Sequence, residues 1–144
     1  MKVLWVEDHE PVRDMLAIAA DKAARARVQV DLVMAATLME AESRLRLERF
    51  DLVMLDLTLP DSFDPDMTVA RIANMGTHRI AIASASENRD TVNEIARRCG
   101  ANIASSAVGK GSLPFNRFIQ RPEAFEDFFL AQLDDNAPRG VVAA

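Results

Sequence analysis

The sequence predicts an α/β domain built on a five-stranded, doubly wound parallel sheet. Three observations predict it. Short apolar runs alternate with longer amphipathic stretches along the chain. Strands alternating with helices pair in parallel, and their right-handed crossovers place helices on both faces of the sheet. Prolines open and glycines close several of the amphipathic stretches, as they do at helix ends. The 144 residues suffice for one sizeable core.

Composition narrows the class. Apolar residues make up 49% and charged residues 27%, as in ordinary globular proteins. A net charge of -5 disfavours a nucleic-acid surface. The single cysteine, Cys99, excludes an internal disulfide and suits a reducing cytoplasm. "MKVLWVED" reaches acid too early for a signal peptide, and no apolar run approaches membrane-spanning length.

The elements follow in order. Val3 to Val6 is an apolar first strand. "EPVRDMLAIAADKAARA" is a helix entered through Pro11, with Val12, Met15, Leu16 and Ala19 at helical spacing. "VQVDLVMAA" holds the second strand. "TLMEAESRLRLERF" is a helix opened by a capping box from Thr37 to Glu40. Residues 51 to 55 form the third strand. "DPDMTVARIANMG" is a short helix between Pro65 and Gly76, "RIAIAS" the fourth strand, and "SENRDTVNEIARRCG" a helix stopped by Gly100. The region around the fifth strand is irregular, with two candidates, "NIASSAV" and "RFIQ". "RPEAFEDFFLAQLDD" is the last helix, and residues 136–144 read as a flexible tail after a domain spanning 1–135.

In sheets of this kind the site lies at the carboxyl ends of the strands. The first strand ends in Glu7 and Asp8, the third in Asp56, the fourth in Ser84, and the fifth near Lys110 or Arg121. Carboxylates gathered on one rim repel, by about 4 kcal/mol per pair at 4 Å and an effective dielectric of about 20. They need counter-charge, and an oxygen-rich set with room for water suits Mg2+. An aspartate nucleophile is ionised at neutral pH and needs no base, but an anionic phosphate approaches it only if cations are in place.

Over roughly residues 1 to 134 the chain resembles the receiver domains of two-component response regulators, of the stand-alone chemotaxis-regulator type. The resemblance lies in "VLWVEDHEPVRDML", in "DLVMLDLTLPD" with Pro60 four positions after Asp56, and in "RIAIASA". It implies a flavodoxin-like fold and a phosphoprotein rather than a turnover enzyme. Asp56 would accept a phosphoryl group from a histidine kinase or a histidine phosphotransfer protein. Asp8 would bind Mg2+ directly, Glu7 through water, and Thr58 through its carbonyl, with Asp56 completing the set. Ser84 would hydrogen-bond the phosphoryl oxygens. Too few residues follow the last helix for a DNA-binding unit, so the output would be a protein contact or a phosphorelay.

The sequence departs from the family pattern in places. Receivers place a Lys-Pro pair at the end of the fifth strand, soon after Gly-Ala; Gly100-Ala101 is present here, but no such pair follows. If "NIASSAV" is the strand, Lys110 is the cation, 54 positions beyond Asp56. If "RFIQ" is the strand, the cation is Arg121, a planar fork rather than a point charge. The first register is preferred. It leaves Ala107 and Val108 where the family often has an aromatic switch, a slot that Phe118 fills only in the second. Asp64 stands where a glycine is common, and "DSFDPD" reads as a helix cap with solvated acids. Trp5 and Cys99 read as buried packing residues, and His9 and His78 as surface residues without metal-ligand spacing. Among Phe125, Phe128, Phe129 and Leu133, any not packed on the sheet would suit a partner. Two other readings compete: a receiver-fold binding module that works without phosphate, and a Mg2+-dependent phosphatase. Thr58, where phosphatases carry a second Asp, argues against the latter.

Overall fold

The computed structural model of the chain describes residues 1–84, 89–98, 102–104 and 107–134. Cys99, Gly100-Ala101 and the 136–144 tail lie outside the described residues. Five parallel strands, β1 (Lys2–Val6), β2 (Asp31–Ala35), β3 (Leu52–Leu55), β4 (Arg79–Ser84) and β5 (Val108–Gly109), form one sheet in the order β2-β1-β3-β4-β5. The helices are α1 (Glu10–Arg25), α2 (Leu38–Leu47), α3 (Pro65–Ala73), α4 (Arg89–Arg98), α5 (Phe115–Gln120) and α6 (Pro122–Leu133). The expected doubly wound sheet is therefore present, and the strand order changes direction at β1, beside β3. No helix among the described residues is long and apolar enough to cross a membrane.

Strand alternation sorts the core into two layers. Leu4, Val6, Val53, Leu55, Ile80 and Ile82 point to one face and meet the buried sides of α2, α3 and α4. Val3, Trp5, Leu52, Met54, Ala81 and Ala83 point to the other, against α1, α5 and α6. The second layer is aromatic. Trp5 stacks on Phe128 at 6.1 Å and meets Phe129 edge-on at 5.9 Å, and Phe118 and Phe125 pack together at 5.0 Å. Ala81 and Ala83 are small enough to admit these rings onto β4.

The helix ends follow the sequence signals closely. Pro11, Pro65 and Pro122 each fall in the first turn of their helix. Thr37 accepts from the Glu40 amide at 3.1 Å, while the Glu40 carboxylate reaches back to the Ala36 amide rather than to that of Thr37. Asp64 has an extended φ of -139° and caps α3 by accepting from the Asp66 amide, so no glycine is required there. Helix α1 ends with Arg27 in the left-handed region, at φ 61°.

Three expectations are corrected. "RFIQ" is not a strand: it lies in α5, because Phe115, Phe118 and Ile119 recur at helical spacing and Phe118 is buried among α6 aromatics. The fifth strand falls only partly in "NIASSAV": β5 is Val108–Gly109, and Ile103 forms an isolated bridge. Among the described residues, Ile103 bridges to Ile80, Val108 pairs with Ala83 and Gly109 with Ser84. Three steps along β4 thus face five along its partner.

The third correction is His78, which is buried rather than on the surface. Its Nε2 lies 2.8 Å from the Ile72 carbonyl near the end of α3, so the neutral ring donates there. Burial lowers its pKa, against the opposing pull of that hydrogen bond. A depressed histidine stabilises the fold fully above its unfolded pKa of about 6.5 and loses that contribution as pH falls towards the folded value. Urea midpoints measured from pH 8 to pH 5 should therefore decline more steeply in the native protein than in His78→Gln, which keeps a donor but does not titrate. Equal slopes would assign the decline to other groups.

Candidate functional site

The strand register builds the site. Val6 pairs with Leu55, and the ladder runs one residue further, with the Asp56 amide donating to the Val6 carbonyl at 3.2 Å. Glu7 and Asp56 therefore leave the sheet side by side. Ser84 ends the next strand, β4, and is buried beside them; it pairs with Gly109, which delivers Lys110 to the same rim.

Glu7 and Asp56 are both fully buried, while Asp8 is exposed. Carboxylate oxygens of all three lie within 4.8 Å of one another. The Lys110 ammonium donates to Glu7 Oε2 at 2.8 Å and to Asp56 Oδ2 at 3.0 Å. The other Asp56 oxygen, Oδ1, accepts from the Thr58 hydroxyl at 2.8 Å and the Thr58 amide at 3.0 Å. The nucleophile candidate is thus held from both sides. Asp8, His9, Thr58 and Lys110 line an open cleft of about 430 Å³ over it.

The electrostatics are those of an anion-rich rim under one cation. Burial raises the pKa of Glu7, partly offset by the Lys110 bond, and the charge on Asp56 pushes the same way as burial. Burial works against the Lys110 ammonium, but its bonds to Glu7 and Asp56 prevail and hold its pKa above the usual lysine value. Glu7 Oε1 is buried with no hydrogen-bond partner among the described residues. A buried carboxylate oxygen left unpaired is costly, and a hard divalent ion at the three-acid cluster would satisfy it. The residues therefore fit Mg2+.

Arg121, the alternative cation, is exposed at the junction of α5 and α6, and its amide donates to the Arg117 carbonyl. His9 is exposed at the cleft, and Trp5 is buried in the aromatic layer. Phe125, Phe128 and Phe129 are consumed by that layer, whereas Leu130 is exposed.

Sequence reasoning missed Asp61. Its carboxylate accepts from the Leu38 and Met39 amides at 2.8 and 2.9 Å, capping α2 from the loop that follows Asp56. Burial acts against its charge, but these backbone donors prevail and lower its pKa. The proximity of an acid to Pro60 was the only local signal. Asp61→Ala should cost about 1 kcal/mol, the usual worth of a cap, with Asp61→Asn recovering part of it in urea denaturation.

No family model matches this sequence, and no curated protein matches it. Solved structures do. A CheY-like response regulator receiver domain protein from Methanospirillum hungatei is 16% identical, with 88% of this chain and 94% of that one covered and a TM-score of 0.62. A response regulator protein from Burkholderia pseudomallei, with a phosphorylated aspartic acid, a calcium ion and citrate, is 20% identical over 94% of this chain and 68% of that one, with a TM-score of 0.65. The BeF3-activated receiver domain of RstA from Klebsiella pneumoniae is 19% identical over 92% and 98%, with a TM-score of 0.63. The chain has the fold of these domains.

Proposed function

We propose that this receiver-fold protein is a response regulator of a two-component system. Asp56 accepts a phosphoryl group from a histidine kinase or a histidine phosphotransfer protein in the cytoplasm. The observation that carries this reading is Lys110 bonded to Asp56 on the rim where Glu7 and Asp8 converge. The phosphorylated aspartate and metal ion of the Burkholderia protein give it a parallel.

The chemistry needs positioning more than acid–base groups. An Asp56 carboxylate oxygen attacks phosphorus as the P–N bond to the donor histidine breaks, and the leaving imidazole keeps the bonding pair and takes up a proton. Thr58 holds the Asp56 carboxylate in place, and Lys110 balances charge on the incoming phosphoryl oxygens. Ser84, at the next strand end, would donate its hydroxyl to a phosphoryl oxygen. Mg2+ would be held by Asp8, Asp56 and the Thr58 carbonyl, with Glu7 through water, and would supply charge neutralisation at the phosphate. The product stays on the protein, so the chain modifies itself rather than turning over substrates.

Treatment with acetyl phosphate and Mg2+ should add one phosphoryl group by intact mass, and Asp56→Asn should add none. No gain in the native protein, or a gain that survives Asp56→Asn, overturns the proposal.

The short fifth strand, Val108–Gly109, with Ala107 and Val108 where an aromatic is common, favours one second reading: a binding module that needs no phosphate. Partner binding undiminished in Asp56→Ala would select it.

A further inference from the structure

The opposite rim of the sheet carries a second cleft. It is open, about 750 Å³, and lies between the turn leading into β3 and the turn leading into β4. Because all five strands are parallel, both turns sit at the amino ends of strands, away from Asp56. Its charges are unequal in their commitments. Glu48 is held by the Lys2 ammonium at 2.6 Å, with Arg44 at 4.0 Å, and Asp51 accepts from the Lys2 amide at 2.8 Å. Arg46 and Arg49 line the same cleft, are exposed, and have no ion-pair partner among the described residues. Between them on the chain, Leu47 is 80% exposed, and half-buried Met75 lies on the facing wall.

We infer that this cleft docks an acidic segment of a partner protein, with carboxylates flanking an apolar side chain. Two uncommitted guanidiniums on either side of an exposed leucine match that pattern in charge and in order. Guanidinium forks suit carboxylates bidentately. An open trough exposes backbone and side chains to a polypeptide, where a small anion would be only partly enclosed. Two cations on an otherwise acidic protein are too few for nucleic acid. The site is independent of phosphoryl chemistry, since none of its residues touches the Asp56 rim.

The test titrates the full chain, by amide NMR, with four probes: a capped Glu-Leu-Glu-Leu-Glu peptide, its Gln-Leu-Gln-Leu-Gln counterpart, inorganic phosphate, and vesicles containing anionic phospholipid. The acidic peptide should shift Arg46, Leu47, Arg49 and Thr77 and bind at least tenfold more tightly than the glutamine peptide. Arg46→Gln/Arg49→Gln should lose that binding by tenfold or more while keeping the native circular dichroism and the Mg2+ response of the distant acids. Shifts elsewhere, equal binding of the two peptides, an unaffected double variant, or stronger binding of phosphate or vesicles would overturn the inference.

Discussion

Lys110→Ala should destabilise the metal-free protein by about 3 kcal/mol, because it leaves two buried carboxylates without their cation. Glu7 and Asp56 are fully buried, and Lys110 is the group that bonds both. Breaking such a network by removing one partner costs more than the pair contributes, since the remaining charges are left unpaired and poorly hydrated. Glu7, whose pKa burial already raises, can limit the loss by taking up a proton. The opposite change gives a clean control. Glu7→Gln removes one of three clustered anions and keeps an acceptor for Lys110, so the metal-free protein should be no less stable, while Mg2+ affinity falls. In Lys110→Ala the pocket becomes more negative. Mg2+ should bind it more tightly than the native protein and restore much of the lost stability; a ligand at 100 times its Kd contributes about 2.7 kcal/mol. Phosphoryl acceptance should nevertheless drop, by about 100-fold, because the fixed cation is gone. Urea denaturation with and without Mg2+, alongside rates of phosphorylation by acetyl phosphate, reads each part. Stability unchanged in Lys110→Ala would mean that the ammonium does not compensate these carboxylates.

Phe128→Ala should cost about 3–5 kcal/mol, as other deletions of a buried aromatic do. Phe128 is 1% exposed and sits at the centre of the aromatic layer. It stacks on Trp5 and meets Phe118 and Phe129, each at 5.4 Å. The neighbours cannot readily collapse into the gap, because β4 offers only Ala81 and Ala83 beneath the rings. Against a total stability of about 5–15 kcal/mol, the loss leaves a marginal fold. The same variant should shift Trp5 emission in the folded state, because its indole loses a stacking partner. A cost below 1 kcal/mol would show that α6 is not anchored through this ring.

The fold was legible wherever local pattern and tertiary role agreed. Apolar runs with an acid at the tip gave β1 and β3, Thr37 and Glu40 marked the start of α2, and Pro65 marked that of α3. The rim followed, because parallel strands bring their carboxyl ends together whatever lies between them. What escaped depends on contacts between distant residues. Asp61 caps a helix 23 positions earlier in the chain. His78 looks solvated in sequence, yet the turn before β4 folds its ring onto the Ile72 carbonyl. The "RFIQ" segment has the apolar content of a strand, and its period is decisive only when Phe115, Phe118 and Ile119 are read together with Phe125 and Phe128 of α6, which Phe118 meets. The fifth strand was hard to place because β5 is only Val108 and Gly109, too short for alternation to show.

The register at this edge of the sheet has a consequence for how the molecule behaves in a crowd. An outer strand with evenly spaced amides is a template on which a second copy can add itself and begin a growing stack. Here the register differs by two residues between the Ile103–Ile80 bridge and the Val108–Ala83 pair, so a straight incoming strand in step with one is out of step with the other. A shifted register at an outer margin works against such stacking.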